Sequence, residues 1–289
     1  MAIRLSAEST LDFTPELLEK YGVSIVHFQV EKGGVSHPDA EVTPQECWDY
    51  TFETKKMCHT AAVNVDVLKD HFAELTKNGD QVIHFCISSG ISSGYNNAVA
   101  AADRNPNIYV VDSHVTSGGI GLLVIYAYNL IQAGYTLEEI EPLLLKARDN
   151  VEMGFILDRL EFLYKGGRCS KLSLFGANLL KIHPTIVCDK EGKFGIGKKY
   201  RGNINRCIIQ YVKDLLTDCP NIDKNYVFLN YANPIPEVDE ECAKMLKDFG
   251  FKNIYITQAS VTNCYHSGPN ARGIQFFYNG FNPIPDPKK

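Results

Sequence analysis

The chain has 289 residues, of which 45% are hydrophobic and 22% are charged, and its formal net charge is −5. This length accommodates one large or two ordinary domains, and the composition is ordinary for a soluble globular protein. The acidic balance argues against a general nucleic-acid binder, which would carry a surplus of lysine and arginine.

Helices and strands alternate through the first half of the chain. We predict helices that begin at Thr14, Thr43, Asn64, about Gly118 and Thr136, and strands over 23–30, 81–87 and 108–111. Hydroxyl or amide caps followed by proline or glutamate mark most of these helix starts, and the strand over 81–87 is continuously apolar, as in a buried parallel sheet. Residues 1–155 are therefore expected to form a doubly wound parallel α/β domain with helices on both faces.

The pattern changes in the second half. We predict a β-hairpin over 184–200, helices over 203–216 and 238–249, and strands over 226–231, 253–257 and 273–278. Adjacent strands joined by a short turn indicate antiparallel pairing. Residues 156–289 are therefore expected to form an α+β domain with a mixed or antiparallel sheet.

The nine cysteines are scattered from Cys47 to Cys264 and include no Cys-x-x-Cys pair. An odd number without metal-site spacing argues against a disulfide framework and against a zinc site, so reduced and mostly buried thiols are expected. The sequence does not start with a basic region followed by an apolar run, and its longest apolar run, 121–128, is too short to span a bilayer. We expect a cytoplasmic protein without an integral membrane segment.

Three small-residue turns carry the polar groups of most interest: Ser88–Tyr95 (the Ser-rich turn), Lys165–Arg168, and a loop at His266–Pro269. Glycine lets the backbone approach a ligand closely, and hydroxyls, an arginine and a histidine are groups that meet an anion. The Ser-rich turn follows a predicted strand end, where open α/β sheets bind ligands. Ordinary helix capping explains the serines and the Gly-Gly-Arg equally well.

The segment Gly192–Lys198 has the glycine and lysine spacing of a phosphate-binding P-loop. Lys199 stands where serine or threonine would hold magnesium, and the segment is predicted as a hairpin strand rather than a helix start. We therefore expect no nucleotide site and no cofactor.

Seven segments, in this order along the chain, resemble the DegV family of bacterial fatty-acid-binding proteins. They are Ser9-Thr10, a loop with Thr60, the Ser-rich turn with Ser92, Asp112-Ser113, Gly-Gly-Arg at Arg168, Arg201-Gly202, and His266 before Gly-Pro. The resemblance covers nearly the whole chain, and its strength lies in the order of the segments, because each one is weak alone.

The resemblance implies a lipid-binding protein that is not itself an enzyme. It implies that Thr60 and Ser92, with Ser93 as the neighbouring choice, hold the carboxylate of a long-chain fatty acid such as palmitate or oleate. Arg168, Arg201 and His266 would lie near the head group or contact a partner. That partner would be the ATP-dependent catalytic subunit of a fatty acid kinase, which converts the bound carboxylate to an acyl phosphate.

The chain departs from the family pattern at three places. Glu8-Ser9 replaces the usual Asp-Ser, Thr60-Ala61-Ala62-Val63 replaces Thr-Ser-Gln-Pro, and Ser92-Ser93-Gly94-Tyr95 replaces Ser-Gly-Thr-Tyr. Ala61 removes a hydroxyl beside the head group, and Gly94 shifts the glycine by one position.

Two other functions fit the same residues. One is a hydrolase with Ser92 as nucleophile, His266 as base and Asp112 as the group that orients the base, although Ser92 lacks a Gly-x-Ser-x-Gly turn. The other is a binding module for a different small acid or for a regulatory protein.

Overall fold

The computed structural model describes residues 2–169 and 182–288. A four-stranded parallel sheet forms the N-terminal part, with β1 (Ile3–Glu8), β2 (Val23–Val26), β6 (Gln81–Cys86) and β7 (Ile108–Asp112) in the order β2-β1-β6-β7. The other strands of this part are β3 (Gln29–Lys32), β4 (Val35–Pro38) and β5 (His59–Ala61), which form a small antiparallel sheet.

Helices cover both faces of the parallel sheet, as predicted. The helices of this part are α1 (Pro15–Tyr21), α2 (Pro44–Thr54), α3 (Val65–Thr76), α4 (Gly94–Ala102), α5 (Gly118–Gln132) and α6 (Leu137–Arg148). Of these, α1, α3, α4, α5 and α6 contact strands of the parallel sheet, whereas α2 packs against the C-terminal part. α3 packs beside α4, and α5 packs beside α6. The predicted caps at Thr14, Thr43 and Asn64 are confirmed, because each side chain accepts a hydrogen bond from the first turn of its helix.

The prediction of one strand over 23–30 is wrong, because β2 and β3 belong to different sheets. The break lies at Phe28, whose backbone N–H donates to Ser9 Oγ (3.1 Å) and whose carbonyl accepts from the Asp39 N–H (2.8 Å). These bonds replace the ladder that a continuous strand would need.

A six-stranded mixed sheet forms the C-terminal part. Its strands are β8 (Val151–Ile156), β9 (Ile182–Cys188), β10 (Phe194–Arg201), β11 (Tyr226–Tyr231), β12 (Asn253–Gln258) and β13 (Arg272–Phe277), in the order β10-β9-β8-β13-β11-β12. The predicted mixed sheet is confirmed, since β11 and β12 are parallel and the other neighbours are antiparallel. β8 spans the predicted boundary between the two domains, at residue 155, and pairs with strands of this sheet. The domain boundary itself stays a prediction.

The remaining helices are α7 (Leu160–Lys165), α8 (Ile204–Asp218), α9 (Pro236–Phe249) and α10 (Val261–Ser267). α8 and α9 close a second apolar core against one face of the six-stranded sheet. Among the described helices, none combines the length and hydropathy needed to cross a membrane.

Helix α5 joins the two sheets. Eleven of its fifteen residues are buried, and it packs against β1 and β6 as well as β8, β11 and β13. A helix that is apolar on all sides is one that other elements surround. The close approach of α5 to β11 depends on Gly118, because a Cβ at this position would lie 2.4 Å from the Phe228 Cβ.

The segment with P-loop spacing is part of the β9–β10 hairpin, and Lys198 lies inside β10. Gly192 at the hairpin turn contacts the Ser-rich turn, and its carbonyl accepts a hydrogen bond from Ser88 Oγ (2.8 Å). A Cβ at Gly192 would lie 2.0 Å from that hydroxyl. The absence of a side chain at Gly192 therefore allows the β9–β10 hairpin to contact the Ser-rich turn of the N-terminal part.

Candidate functional site

A cavity of about 290 Å³ lies between the carboxyl ends of the parallel strands and the six-stranded sheet. Its apolar wall comprises Phe28, Ile87, Ile91, Met153, Phe155, Leu163, Phe194, Ala232, Ala259 and Ala271. Five of the six predicted site residues also line it: Thr60, Ser92, Ser93, Arg168 and His266. The fold thus brings together groups that are far apart in sequence.

Thr60 and His266 are in direct contact. Thr60 Oγ1 and His266 Nε2 are 2.8 Å apart, and either tautomer of the ring allows a hydrogen bond. Thr60 lies in β5, and His266 lies near the end of α10, so the loops expected at both positions are wrong. Both elements are short, with three and seven residues. They are held by tertiary contacts such as the one between Thr60 and His266, which local sequence patterns do not encode.

The His266 ring is held on both sides. Its Nδ1 is buried without a hydrogen-bond partner among the described residues, and a Cβ at Gly166 would lie 2.5 Å from that atom. Burial, followed by the positive charge of Arg168, lowers the pKa of His266 from 6.5 to about 3. The imidazole is therefore neutral near pH 7, with one donor and one acceptor nitrogen.

The Ser-rich turn presents two hydroxyls to the cavity. Ser92 Oγ accepts from the Gly94 N–H (3.1 Å) and donates to no acceptor among the described residues, so its hydrogen is available to a ligand. Ser93 stands before α4, and its side chain makes no cap hydrogen bond. Ser88, in contrast, is fully buried and donates to the hairpin. Of the four serines in the turn, Ser92 and Ser93 line the cavity and Ser88 and Ser89 do not.

The two arginines predicted for the site, Arg168 and Arg201, differ in their position relative to the cavity. Arg168 lines the cavity, donates to the Gly166 carbonyl (2.5 Å), and has its pKa lowered by burial from the ordinary value of 12.5. An arginine remains charged despite such a shift. Arg201 is exposed at the end of β10 and is not among the residues that line the cavity. Its predicted nearness to the head group stays a prediction.

A second group of polar residues lines the cavity and was not predicted from the sequence: Thr116, Ser117, Asn230, Thr262, Asn263, Arg272 and Gln275. Most of them are satisfied within the protein. Thr116 Oγ1 donates to Asn263 Oδ1 (2.9 Å), and the buried Arg272 forms two hydrogen bonds with the Asp239 carboxylate (2.6 and 3.2 Å). This group therefore shapes the wall without requiring an anion. Gln275 is the exception, because its Oε1 is buried and has no hydrogen-bond partner within residues 2–169 and 182–288.

Signals for two of these residues are visible in the sequence. Asn230 interrupts the apolar strand over 226–231, and Thr116 follows the end of the strand over 108–111. A polar residue within a buried strand, or just after one, indicates a ligand edge in an α/β protein.

The three residues of the hydrolase alternative are not linked in the described structure. His266 contacts Thr60, and Ser92 accepts only from a backbone N–H. Asp112 lies outside the cavity lining, where its Oδ1 accepts from the Ser89 N–H (3.0 Å). A nucleophile needs a base within hydrogen-bond reach, and this arrangement does not supply one.

A separate group of potential metal ligands, Glu8, His84 and Cys86, lies in the parallel sheet.

Comparison with known proteins agrees with this architecture. The model of the DegV family matches residues 2–279. A DegV domain-containing protein from Caldanaerobacter subterraneus subsp. tengcongensis is 26% identical over 279 residues, covering 95% of this chain and 98% of the relative. The structure of a Thermus thermophilus DegV family protein matches with a TM-score of 0.85 at 24% identity, over 96% of this chain and all of that one. A Thermotoga maritima protein, whose structure is described as revealing a fatty acid binding function, matches with a TM-score of 0.81 at 25% identity, over 96% and 99% of the two chains. The chain belongs to the DegV family.

Proposed function

We propose that this protein binds one long-chain fatty acid, such as palmitate or oleate, in the cavity between its two sheets. The observation that carries the proposal is the convergence of Thr60, Ser92, Ser93, Arg168 and His266 on one mostly apolar cavity. A pocket with an apolar wall and a few convergent polar groups suits a ligand that is apolar over most of its length. The Thermotoga relative, described as binding fatty acid, supports the same assignment.

The carboxylate binds at Thr60 and Ser92 in this proposal. If His266 Nε2–H donates to Thr60 Oγ1, the threonine hydroxyl keeps its own hydrogen for the carboxylate. The neutral state of His266 allows this tautomer, in which the unpaired Nδ1 carries the lone pair. Ser92 donates from the other chain segment, and Ser93 is the alternative donor one residue away.

The acyl tail supplies most of the binding free energy. Burial contributes about 0.8 kcal/mol per CH₂, so a sixteen-carbon tail gains on the order of 10 kcal/mol before the costs of ordering. Once water is excluded, the carboxylate must be satisfied by protein donors, because an unpaired buried charge is costly. Hydroxyls and the charged Arg168 meet that need.

We propose further that the protein presents its ligand and does not react with it. A separate ATP-dependent kinase subunit would convert the bound carboxylate to an acyl phosphate. Arg201 is exposed rather than in the cavity wall, which suits contact with such a partner. Transfer builds negative charge at the head group, so cations nearby stabilise the transition state more than the bound lipid.

Mass spectrometry of lipid extracted from the purified protein tests the binding proposal. We expect about one long-chain fatty acid per chain, either as isolated or after delipidation and loading with palmitate or oleate. If the protein is folded by circular dichroism but takes up neither palmitate nor oleate, the binding proposal is overturned. Retention of a short acid but not of palmitate would instead identify a binding module for another small acid. Labelling of Ser92 by a fluorophosphonate would identify the hydrolase.

A further inference from the structure

Three fully buried side chains with metal-ligating atoms lie together in the parallel sheet, apart from the cavity lining. Glu8 ends β1, and His84 and Cys86 lie in β6. One donor atom from each lies within 4.8 Å of the other two. The register of the two parallel strands, in which Ser6 pairs with His84, explains this: alternate residues of neighbouring strands share a face.

Two of these three side chains each have a buried polar atom that lacks a hydrogen-bond partner among the described residues. Glu8 Oε1 and His84 Nε2 are buried and make no hydrogen bond to the described part of the chain. Buried polar atoms in folded proteins are nearly always satisfied, so each orphan indicates a missing partner. That both orphans belong to the same small group points to one shared partner for both.

The surrounding hydrogen bonds orient these ligands. Glu8 Oε2 accepts from the Ile87 N–H (2.8 Å), which fixes the orientation of the carboxyl group. His84 Nδ1 is 2.8 Å from Ser6 Oγ, which in turn is 2.7 Å from His71 Nε2. A hydrogen bond from Nδ1–H to the serine gives the tautomer whose Nε2 carries a lone pair. Histidines that bind metals are commonly held in this way through the other ring nitrogen.

The donor set selects among ions. A carboxylate oxygen, an imidazole nitrogen and a thiolate sulfur suit zinc, whereas magnesium and calcium prefer oxygen alone. Zinc binding would displace the protons of the Glu8 carboxyl group and the Cys86 thiol, and the resulting carboxylate and thiolate would balance the charge of a divalent ion in the interior. Asp112, which pairs with Cys86 across β6 and β7, is the neighbouring acidic residue along the sheet.

We propose that Glu8, His84 and Cys86 form a Zn²⁺ site that ties β1 to β6. The site lies directly behind the Ser-rich turn, because the Glu8 carboxylate also holds the backbone of Ile87, the residue that precedes this turn. Bound zinc stabilises the strand ends from which the turn begins. The three protein ligands leave the fourth tetrahedral position of zinc to a non-protein ligand. The proposed role of the ion is to hold β1 and β6 together, and it is independent of what the cavity binds.

The test uses the full-length protein, unfolded in denaturant with a reductant and a chelator and then refolded with excess Zn²⁺ or Co²⁺. Refolding removes the barrier of entry into a buried site. After desalting, we expect one zinc per chain, a higher Tm than for protein refolded without metal, and a thiolate-to-cobalt charge-transfer band with Co²⁺. Cys86→Ala and Glu8→Gln should lose the bound metal and the Tm increase. Cys86→Ala should also lose the band.

Cys264→Ala is the matched control, because Cys264 is equally buried and lies outside the group. It should retain metal and band. Circular dichroism of each metal-free variant establishes that it has folded. If only one of the variants Glu8→Gln and Cys86→Ala folds, that variant alone is sufficient to test the loss of metal. Wild-type protein that refolds without binding zinc would overturn the proposal, as would a cobalt band that survives in Cys86→Ala.

Discussion

Gly94 lies so close to the Glu8 carboxyl group that no side chain fits at position 94. A Cβ there would stand 2.1 Å from Glu8 Oε1, far inside van der Waals contact. Burial raises the pKa of Glu8 to about 8. Two departures from the family pattern, the longer acidic residue at position 8 and the shifted glycine, therefore meet in space. The Glu8 carboxyl group occupies the space that a side chain at position 94 would need.

We predict that Gly94→Ala destabilises the protein and that Glu8→Asp in the same chain restores part of the loss. Overpacking of a tight contact costs about 1–3 kcal/mol, and the shorter aspartate withdraws the atom that the new Cβ meets. Urea unfolding of both single variants and the double variant, all with chelator present, gives the coupling free energy. Strictly additive effects would contradict the contact.

The alternating caps and apolar strands of the sequence predicted the character of the two larger sheets and most of the longer helices, but not β1, β8 or the small sheet of β3, β4 and β5. They failed where tertiary contacts override local pattern, as at Phe28, whose backbone bonds to Ser9 and Asp39 interrupt an otherwise strand-like run. The short elements β5 and α10 were missed for the same reason. Local periodicity carries little information about three- or seven-residue elements.

Residue types alone did not reveal how the candidate site is arranged. Resemblance to the family indicated Thr60 and His266 separately, but the 2.8 Å contact joins two residues that are 206 positions apart in the chain. The second polar group of the wall was missed because Asn263 and Gln275 lie in segments with no motif. The orphan atoms of Glu8 and His84 depend on strand register, which the sequence shows only after the sheet is known.

Removal of either head-group hydroxyl should weaken lipid retention. Thr60→Ala and Ser92→Ala each leave a carboxylate oxygen short of a donor, a loss of about 1–3 kcal/mol that corresponds to roughly 5- to 150-fold in affinity. Competition of a fluorescent fatty acid by palmitate measures the change. Ser89→Ala is the control, since Ser89 is exposed and outside the cavity lining. Unchanged affinity in both variants would show that the carboxylate binds elsewhere.

Arg201 and His266 should differ in their effects. Arg201→Ala should leave palmitate binding unchanged and reduce kinase-dependent acyl phosphate formation, because Arg201 is exposed and outside the cavity wall. His266→Ala should reduce both, because His266 contacts Thr60. Arg206→Ala, at another exposed arginine near the start of α8, is the control for Arg201. Loss of lipid in Arg201→Ala would make this residue a head-group ligand.

The lowered pKa of His266 predicts acid sensitivity of the lipid-free protein. The unfolded chain takes up this proton near pH 6.5, whereas the folded protein takes it up only near pH 3. Between these values the unfolded state binds more protons, so the free energy of unfolding falls as the pH falls. The contribution of neutral His266 to the free energy of unfolding is fully present above about pH 6.5. Between pH 6.5 and pH 5 the loss is at most about 2 kcal/mol, because each pH unit corresponds to about 1.36 kcal/mol.

His266→Gln should remove that part of the pH dependence, since glutamine does not titrate. Urea unfolding at a series of pH values from 5 to 7.5 compares its slope with that of the wild type. His37→Gln, in β4 and outside the cavity lining, is the control and should follow the wild-type slope. Parallel curves for wild type and His266→Gln would mean that the ring gains its proton equally in both states. In that case the pKa of His266 in the folded protein would lie near its ordinary value of 6.5, and the ring would become charged as the pH falls through that value.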